Sequence, residues 1–460
     1  MKKMLTGLAV AAIGIAFTTT LVVAAPGGKT TGPQIGINVV LDGPITRNRV
    51  NALESFGSVV DRIEVLNALT MRAREADLDA IRSLPFVMAA NPDAERDAGP
   101  VAVAAADGFG ADGINSWNLD AINVTDFDDG RTIDFDGAGV YVAVLDTGLL
   151  NSWRYYFPAE RIATEYARSF GGGGANRGHV SEQPNKWEQD QDSHGTHVTS
   201  TILGYRMPTR TVNGVAPMAT VIPVKVLNQD GSGWSSMIAR GIVYVADLKE
   251  GPLNGHPVVI NMSLGGSRLD AIEQVAIDYA IGKGVIIVAS AGNRGTRGMG
   301  YPGAYEPVIS VAASGFTQQW TRDFWWRTLD VPEPTSPEDM YIAGFSSRAK
   351  DGQDLDVTAP GAGVVGPYQI DGGHLSWYYL SGTSMASPHV AGIVALMAQK
   401  NGHLTAAQAE TILESATTPL YAGCREGVAR TTTPVCWDDD ATGAGLITAD
   451  AAIEATPTPP

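Results

Sequence analysis

Cysteine is nearly absent from this sequence, which contains only Cys424 and Cys436 among its 460 residues. So small a number excludes a scaffold held together by many disulfides. It also excludes a cysteine-rich metal cluster, because such a site needs further ligands close by. The two cysteines lie near each other in a turn-rich segment, and in an exported protein we expect them to form a local disulfide.

Positive charge is also scarce: 32 Lys and Arg residues stand against 49 Asp and Glu residues, which gives a net charge of −17. The acidic residues are spread along the chain rather than gathered in a tail. A nucleic-acid-binding surface needs clustered basic side chains to neutralise phosphates, so nucleic acid is excluded as a partner. Solubility alone accounts for the acidic excess.

Long apolar runs are missing after the first 25 residues, and we therefore expect no membrane span in the mature protein. The chain begins with Met1-Lys2-Lys3, continues with an apolar stretch, and reaches Ala24-Ala25-Pro26. A charged start, an apolar middle and a small-residue end are typical of a secretory signal peptide. We predict that residues 1–24 are removed and that the mature protein is secreted; an uncleaved membrane anchor is the alternative.

Residues 25–105 form the next predicted unit, and its compact part covers residues 34–96. The sequence pattern predicts a small α+β module, with strands over 35–41, 59–65 and 86–90 and helices over 47–56 and 75–84. Residues 99–113 are mostly Gly and Ala, and we expect an exposed linker without regular structure. A compact module between a signal peptide and a linker indicates a pro-segment, with an ordinary N-terminal domain as the alternative.

From residue 140 onward, short β-branched runs alternate with helical patterns. Continuously apolar strands separated by helices predict an α/β fold: a doubly wound, mostly parallel sheet with helices on both faces. We assign this domain to residues 106–455 and expect residues 456–460 to be a frayed tail rich in Pro and Thr. The predicted strands are 140–145, 221–227, 258–262, 285–289 and 308–312, and the predicted helices are 196–203, 236–248, 270–282 and 385–399.

Polar motifs follow the predicted strands, at the edge where a parallel sheet binds ligands. Asp146-Thr147-Gly148 comes directly after one strand, Ala291-Gly292-Asn293 comes after another, and Ser193-His194-Gly195 opens a helix. Ser384 lies at the start of the helix predicted over 385–399, where free N–H groups and the helix dipole favour developing negative charge. A serine hydroxyl becomes a good nucleophile only when a base takes its proton, so these motifs together indicate nucleophilic catalysis.

The motifs Asp-Thr-Gly at 146–148, His-Gly-Thr-His at 194–197 and Gly-Thr-Ser-Met-Ala-Ser-Pro-His at 382–389 resemble those of the subtilisin-like serine peptidases. The resemblance covers residues 117–455, and the order Asp, His, Ser is the order of that family. It implies a secreted serine endopeptidase that hydrolyses peptide bonds through an acyl-enzyme intermediate, with no cofactor in the chemistry.

The resemblance assigns a role to each of four residues. Ser384 is the expected nucleophile, His194 the base that takes and returns its proton, and Asp146 the group that orients the histidine. Asn293 resembles the family's donor that stabilises the oxyanion together with the Ser384 backbone N–H. Each residue also has a simpler interpretation. Asp146 and Asn293 could be turn residues, His194 could bind a metal, and Ser384 could only cap its helix.

Two further segments resemble the strands that flank a peptide substrate in this family, Ser263-Leu264-Gly265 on one side and Gly233-Trp234 on the other. The first specificity pocket is expected to have uncharged and mostly small walls. These are Leu264, Ser290, Ala291, Gly292 and Gly300. Such walls favour a large apolar side chain and offer no acidic anchor for Lys or Arg. Proteins and peptides are therefore the expected substrates.

The resemblance also concerns the N-terminal module, since the family carries an inhibitory pro-segment whose last strand leads into the cleft. It assigns that role to residues 34–96 and implies self-cleavage within the linker at 97–113. We therefore expect a self-processing precursor in which the pro-segment is an intramolecular inhibitor. The enzyme is expected to be a monomer.

Calcium sites are where the sequence departs from the family. Tyr155 stands where many relatives have a calcium-ligating aspartate, and residues 204–214 lack the family's Asn-rich calcium loop, so no strong calcium site is expected. A weaker cation site would use the carboxylate of Asp356 and three backbone carbonyls, those of Gly303, Tyr305 and Val308. A solvated Asp356 without a cation is the alternative, and a structural Ca²⁺ stays open.

An insertion over residues 316–341 carries an aromatic cluster formed by Trp320, Phe324, Trp325 and Trp326. Aromatic clusters bind substrates or partners in some proteins, but more often they pack an extra loop against the body of the domain. We expect packing here.

Two functions besides that of an endopeptidase stay open at this point. One is a catalytically silent protein that holds peptides in the cleft, and an intact set of Ser, His, Asp and Asn residues argues against it. The other is an esterase, which shares the nucleophile chemistry, and the substrate-flanking segments argue against that.

Overall fold

The computed structural model describes residues 32–105, 116–126, 130–174, 179–208, 211–321, 325–369 and 375–459. The predicted signal peptide and residues 106–113 of the predicted linker lie outside these ranges. Within them, no helix has both the length and the apolar character needed to cross a bilayer.

The regular elements are named here in chain order. The strands are β1 (Gln34–Leu41), β2 (Gly57–Ile63), β3 (Ala68–Arg74), β4 (Val87–Pro92), β5 (Glu95–Asp97), β6 (Ala102–Ala105), β7 (Tyr141–Asp146), β8 (Arg168–Gly174), β9 (His179–Glu182), β10 (Gly204–Arg206), β11 (Thr211–Asn213), β12 (Thr220–Lys225), β13 (Ser232–Trp234), β14 (Val258–Met262), β15 (Val285–Ser290), β16 (Ile309–Phe316), β17 (Met340–Ile342), β18 (Val357–Pro360), β19 (Val364–Pro367), β20 (Trp377–Ser381), β21 (Thr417–Thr418), β22 (Gly423–Arg425), β23 (Val435–Trp437) and β24 (Leu446–Ile447). The α-helices are α1 (Arg47–Glu54), α2 (Leu78–Arg82), α3 (Trp117–Asp120), α4 (Trp153–Tyr156), α5 (His194–Leu203), α6 (Ser235–Glu250), α7 (Ala271–Gly282), α8 (Trp325–Thr328), α9 (Thr383–Lys400), α10 (Ala406–Ser415) and α11 (Ala449–Ala455).

The N-terminal module is a four-stranded sheet in the order β2-β3-β1-β4, with α1 and α2 contributing to one apolar core. The strand β3 is absent from the sequence prediction, which has three strands. Its inward side chains, Leu69, Met71 and Ala73, do alternate with polar ones, but Met and Ala have little preference for strands. The strand β3 therefore forms because it pairs with β1 and β2, and the local sequence does not predict that pairing.

The main sheet has eleven strands, ordered β21-β24-β18-β16-β15-β14-β7-β12-β8-β9, with β17 paired to β16. Its seven central strands, from β18 to β8, run parallel. The predicted fold class is therefore confirmed: a mostly parallel sheet preceded by a small module of strands and helices. The chain passes from β7 to β12 on one side and later adds β14 on the other. A crevice opens beyond the carboxyl end of such a central strand.

The sheet is buried on both faces because successive side chains of a strand point in opposite directions. In β7, Val142 and Val144 belong to a core that also contains the apolar side chains of α5 and α9. Ala143 and Leu145 belong to a second core, which contains those of α6 and α7.

The expectation of an unstructured linker over residues 99–113 is wrong for its first part. Ala102–Ala105 form β6, which pairs antiparallel with β20, and Val101 N–H donates to the Ser381 carbonyl at 2.7 Å. Small residues without a side-chain signal still carry backbone donors and acceptors, and a free strand edge can pair with them. The composition of this segment predicts a linker, but pairing with the edge of β20 makes residues 102–105 a strand.

The aromatic insertion packs as expected at two of its positions. Trp325 and Trp326 are 2% and 0% exposed, and Trp325 lies between Trp117 and Tyr379 at centroid distances of 6.3 and 5.5 Å. Phe324 lies outside the described residues, and Trp320 is only half-buried. Packing alone therefore does not explain why the chain has a tryptophan at position 320.

The C-terminal region holds the two cysteines and the end of the chain. Cys424 and Cys436 are opposite each other in the β22–β23 hairpin and form a disulfide, as predicted. The tail is not frayed at its first residue, because Thr456 is 1% exposed and its hydroxyl donates to the Ala452 carbonyl at 2.7 Å. That bond caps α11, so the ordered chain continues past the predicted boundary.

Candidate active site

Asp146 and His194 form a buried pair at the carboxyl edge of the main sheet. Asp146 is the last residue of β7, His194 is the first residue of α5, and both are 0% exposed. His194 Nδ1 lies 2.9 Å from Asp146 Oδ1 and 3.0 Å from Oδ2, and Thr147 N–H donates to Oδ1 at 2.7 Å. A carboxylate beside Nδ1 holds the proton on that nitrogen, so Nε2 is left with a lone pair.

The electrostatic surroundings of His194 favour its protonated form. Burial opposes a charge on the ring, but the negative charge and hydrogen bond of Asp146 outweigh it, and the pKa of His194 is raised above its ordinary value. Asp192 and Asp190 act in the same direction, and Asp192 Oδ1 accepts a hydrogen bond from the His194 backbone N–H at 3.2 Å. An imidazole in these surroundings can accept a proton and stabilise the resulting charge.

Ser384 is the second residue of α9, directly after Gly382 and Thr383 at the helix N-terminus. Its hydroxyl donates to the Ser263 carbonyl at 3.1 Å. Among the described residues, His194 Nε2 has no hydrogen-bond partner. The structure therefore differs from the direct contact between serine and histidine that the resemblance implies.

The backbone of Ser384 is fixed by a chain of buried polar groups. A carbonyl in a helix accepts from the N–H four residues later, but that residue here is Pro388, which has none. Ser263 Oγ takes its place and donates to the Ser384 carbonyl at 2.8 Å. Asn261 Nδ2 donates to Ser263 Oγ at 3.0 Å, and Ser387 Oγ donates to Asn261 Oδ1 at 2.7 Å. Sequence reasoning missed Asn261 and Ser387. The signal that could have found them is Pro388, because a proline in the second turn leaves a carbonyl that needs a donor from outside the helix.

Asn293 follows β15 and presents its amide beside the start of α9. Its Oδ1 accepts from the Thr383 backbone N–H at 2.8 Å and from Thr383 Oγ1 at 2.9 Å, which leaves the amide nitrogen as a donor. A methyl carbon built on Gly382 would lie 3.4 Å from Asn293 Nδ2 and 3.7 Å from the Ser384 nitrogen. Both nitrogens therefore border one small space. Two donors around such a space can hold a negatively charged oxygen.

The two predicted flanking segments lie on opposite sides of a strand of the chain itself. β5 pairs antiparallel with β13, which contains Gly233 and Trp234. On its other side, Asp97 and Gly265 exchange backbone hydrogen bonds of 3.0 and 2.9 Å, and Ala98 N–H donates to the Gly231 carbonyl at 3.1 Å. The cleft thus holds an extended backbone by β-augmentation.

A cavity of about 160 Å³ opens beside Ser384, and four of the predicted pocket residues line it. They are Leu264, Ser290, Gly292 and Gly300. Ala291 is buried behind this wall, where its carbonyl accepts from Gly300 N–H at 2.8 Å. Gly233 and Trp234 do not line the cavity. Sequence reasoning missed Arg294, which adds a positive charge to the lining although it directly follows Asn293.

Asp356 does not have the surroundings predicted for it. It is 1% exposed rather than solvated, its Oδ2 accepts from the Ser310 N–H and hydroxyl at 2.6 and 2.8 Å, and the Tyr305 carbonyl accepts from Val308 N–H instead. Carboxylate oxygens of Asp354, Asp356 and Glu410 lie within 4.8 Å of one another. Asp356 Oδ1 has no partner among the described residues, and such oxygens suit a hard cation such as Ca²⁺.

Comparisons with known proteins find a family model, several relatives and a similar solved structure. A family model described as the subtilase family matches residues 137–440. Subtilisin E of Bacillus subtilis is 35% identical over 290 residues, and the match covers 62% of this chain and 62% of that protein. Subtilisin DY of Bacillus licheniformis is also 35% identical over 290 residues, which cover 62% of this chain and 86% of that protein. The chain thus spans less than two thirds of the length of Subtilisin E.

One solved structure is similar over most of the chain. It is fervidolysin from Fervidobacterium pennivorans, a keratinolytic enzyme related to subtilisin, with a TM-score of 0.64 at 23% identity over 93% of this chain and 61% of that one. At that identity the likeness concerns the fold alone.

Proposed function

The chain belongs to the subtilase family, and on that premise we propose that it is a serine endopeptidase made as an exported, self-processing precursor. One observation carries the proposal. His194 is buried, its Nδ1 faces the Asp146 carboxylate at 2.9 Å, and its Nε2 has no partner among the described residues. A ring held in this way is a base ready for a hydroxyl, and Ser384 lies at the N-terminus of the adjacent α9.

The reaction begins when Ser384 Oγ attacks the carbonyl carbon of a peptide bond while His194 Nε2 takes the hydroxyl proton. Asp146 holds the ring and stabilises its positive charge. The carbonyl oxygen becomes an oxyanion and accepts hydrogen bonds from the Ser384 backbone N–H and Asn293 Nδ2. His194 then gives its proton to the leaving amine, and water repeats the sequence on the acyl-enzyme. No step needs a cofactor.

The N-terminal module is proposed to be an inhibitory pro-segment. Support comes from β5, which occupies the cleft between β13 and Gly265 as a substrate backbone would. The chain then pairs with Ser381 from Val101 onward, so the bond facing Ser384 is one of those between Ala98 and Val101. This narrows the expected cleavage point from the linker at 97–113 to this stretch, and it ends the pro-segment before residue 105. Removal of residues 1–24 and export complete the proposal, and the Cys424–Cys436 disulfide suits an oxidising environment.

The specificity pocket is proposed to prefer a large apolar side chain. Four of its lining residues, Leu264, Ser290, Gly292 and Gly300, carry no charge. The lining also contains Asp97 and Arg294, but Asp97 belongs to β5 and leaves with the pro-segment. Arg294 then adds a positive charge, which disfavours Lys and Arg more strongly than an uncharged wall does. A pair of matched substrates with Phe or Lys before the cleaved bond measures this preference.

A cation site is proposed at Asp354, Asp356 and Glu410, where carboxylate oxygens converge around the unpartnered Asp356 Oδ1. Burial raises the pKa of Asp356 to about 6 and that of Glu410 to about 7, so a nearby positive charge would favour the ionised carboxylates. A divalent cation such as Ca²⁺ supplies it. Its role is structural, since these residues are not part of the cleft.

A fluorophosphonate probe, which reacts with activated serines, tests the endopeptidase proposal directly. The mature wild-type protein should gain one probe on the peptide that contains Ser384, and His194→Ala should not gain it even after another protease has removed its N-terminal module. Ser267→Ala, which removes an exposed hydroxyl at the rim of the cleft, should react like wild type. Labelling that survives in His194→Ala contradicts the proposed base. Turnover of a peptide amide, compared with its ester, separates the endopeptidase from an esterase.

A further inference from the structure

A second cavity lies on the far side of Ser384 from the specificity pocket. Its volume is about 350 Å³, and apolar side chains form most of its lining. The residues that matter for the argument are Trp320, Tyr341, Tyr379, Arg430, Val435 and Ala102. A concave apolar space of this size with few polar groups is characteristic of a binding site.

The walls come from the aromatic insertion and the disulfide segment. The Trp320 ring lies 5.1 Å from that of Tyr379 and 4.8 Å from that of Trp325, and the Arg430 guanidinium carbon lies 3.9 Å from the Trp320 ring centre. Val435 belongs to the β22–β23 hairpin that the disulfide closes. Two segments far apart in sequence thus enclose one space, and Trp320 is half-buried because it faces that space.

The polypeptide that crosses the cleft continues directly past this cavity. Val101 N–H donates to the Ser381 carbonyl, and β6 then runs antiparallel along β20 with Ala102 opposite Ser381 and Ala104 opposite Tyr379. β6 follows the stretch between Ala98 and Val101 that faces Ser384, so this strand lies on the leaving-group side of the proposed nucleophile. Ala102 lines the cavity, and its methyl group leaves most of the volume unfilled.

We propose that this cavity binds an apolar or aromatic side chain of the substrate on the leaving-group side, at the position that Ala102 holds in the precursor. The inference rests on the proposed function, because it takes the cleft as a peptide-binding site. Side chains of a bound strand alternate between two faces, so one position in two can reach the cavity. Arg430 repels Lys and Arg there, and its contact with Trp320 keeps the aromatic wall in place.

The precursor itself provides a test that does not need activity. In a full-length chain made inactive by Ser384→Ala, Ala102→Phe should raise the unfolding temperature by about 2 °C, because a phenyl ring then fills the cavity. Val103→Phe is the matched control, since Val103 is 39% exposed and opposite Leu380, and it should give no rise. A rise that is equal in the two variants overturns the inference.

A variant that fills the cavity from another residue completes a double-mutant cycle with position 102. A side-chain carbon at Gly344, which lines the cavity, would meet only Val435 Cγ1, at 3.9 Å, so Gly344→Leu fills the space without backbone strain. The difference between Phe and Ala at position 102 should vanish in that background. It should persist with Gly130→Leu, which adds the same side chain at an open loop position. Persistence in Gly344→Leu counts against the cavity.

Internally quenched peptides then test the substrate claim in the mature enzyme. With Phe or Leu instead of Ala at the residue that corresponds to Ala102, which is the second, third or fourth after the cleaved bond according to the bond found in the precursor, kcat/KM should rise about tenfold in wild type and change little in Gly344→Leu. A short anilide substrate with no residue after the bond should be cleaved equally by both. If the anilide is cleaved but the peptides show no preference, the cavity inference is wrong and the endopeptidase stands. If nothing is cleaved although Ala102→Phe stabilises the precursor, the proposed activity fails and the cavity stands.

Discussion

Ser263 and Ser384 exchange two hydrogen bonds: Ser384 Oγ donates to the Ser263 carbonyl at 3.1 Å, and Ser263 Oγ donates to the Ser384 carbonyl at 2.8 Å. The second bond replaces the one that Pro388 cannot make. Ser263 therefore both holds the backbone of Ser384 and accepts a hydrogen bond from its hydroxyl.

Ser263→Ala should therefore lower stability and activity together. It leaves the buried Ser384 carbonyl without a donor, which costs about 1–3 kcal/mol of unfolding free energy. Because α9 then shifts relative to the cleft, kcat should fall more than KM rises. Chemical denaturation and steady-state kinetics measure both effects. Ser314→Ala is the control, because it removes a buried hydroxyl without a partner among the described residues, and an equal loss there would contradict the assigned role.

Asp192→Asn should shift the pH dependence of the reaction. Asp192 is one of the negative charges that raise the pKa of His194, and removing it lowers that pKa. The base must be neutral to accept a proton, so the acidic limb of the kcat/KM profile should move to lower pH. Asp351→Asn makes the same charge change in an exposed loop and should leave the limb in place. A shift to higher pH in Asp192→Asn would be incompatible with this role.

Gly382→Ala should damage catalysis without damaging the fold. The new methyl would make only ordinary contacts, at 3.4 Å from Asn293 Nδ2 and 3.7 Å from the Ser384 nitrogen. It occupies the space where these donors meet an oxyanion, so kcat should fall while the unfolding temperature stays within a few degrees. Asn293→Ala should reduce kcat by about 10²–10³, the range found for removing one such donor in a related subtilisin. Full activity in Gly382→Ala would place the oxyanion elsewhere.

The motifs proposed to be catalytic stand out in the sequence because each one combines a strand end or helix start with residue types that the chemistry requires. Asp146, His194 and Ser384 are carried by local patterns of this kind, and so is the alternation of strands and helices that predicts the sheet. Their mutual distances are set by β7, α5 and α9 packing on one sheet. No local pattern contains those distances.

What the sequence did not predict depends on partners far along the chain. β6 forms because the edge of β20 lies beside it, more than 270 residues away in sequence. Asp356 is buried because Ser310 offers it two donors, and the Ser384 hydroxyl rests on Ser263. The aromatic residues around Trp320 predict a packed loop. The cavity becomes visible only in the structure, where Arg430 and Val435 lie opposite Trp320.

Ca²⁺ should stabilise the protein in a manner that depends on pH. Burial raises the pKa of Asp356 to about 6 and of Glu410 to about 7, so the folded state binds more protons than the unfolded state between pH 4 and 7. Stability without a cation should therefore fall as pH rises through that window. Added Ca²⁺ should raise the unfolding temperature at pH 8 and much less at pH 5.

Glu410→Gln provides the comparison for this prediction. It removes one ligand charge, so in a chelator at pH 8 it should unfold at a higher temperature than wild type, and Ca²⁺ should raise that temperature less. The same Ca²⁺ response in both proteins would show that the cation binds elsewhere.

The most direct test of the central claim is the intact mass and N-terminal sequence of the full-length chain, expressed as wild type and as Ser384→Ala. Loss of the family's serine reduces turnover about a million-fold, so only wild type should process itself. We predict that wild type begins between residues 99 and 101 and that Ser384→Ala keeps its N-terminal module. Two folded proteins that both retain the module, or that are both cut at the same bond, would contradict a self-processing serine endopeptidase.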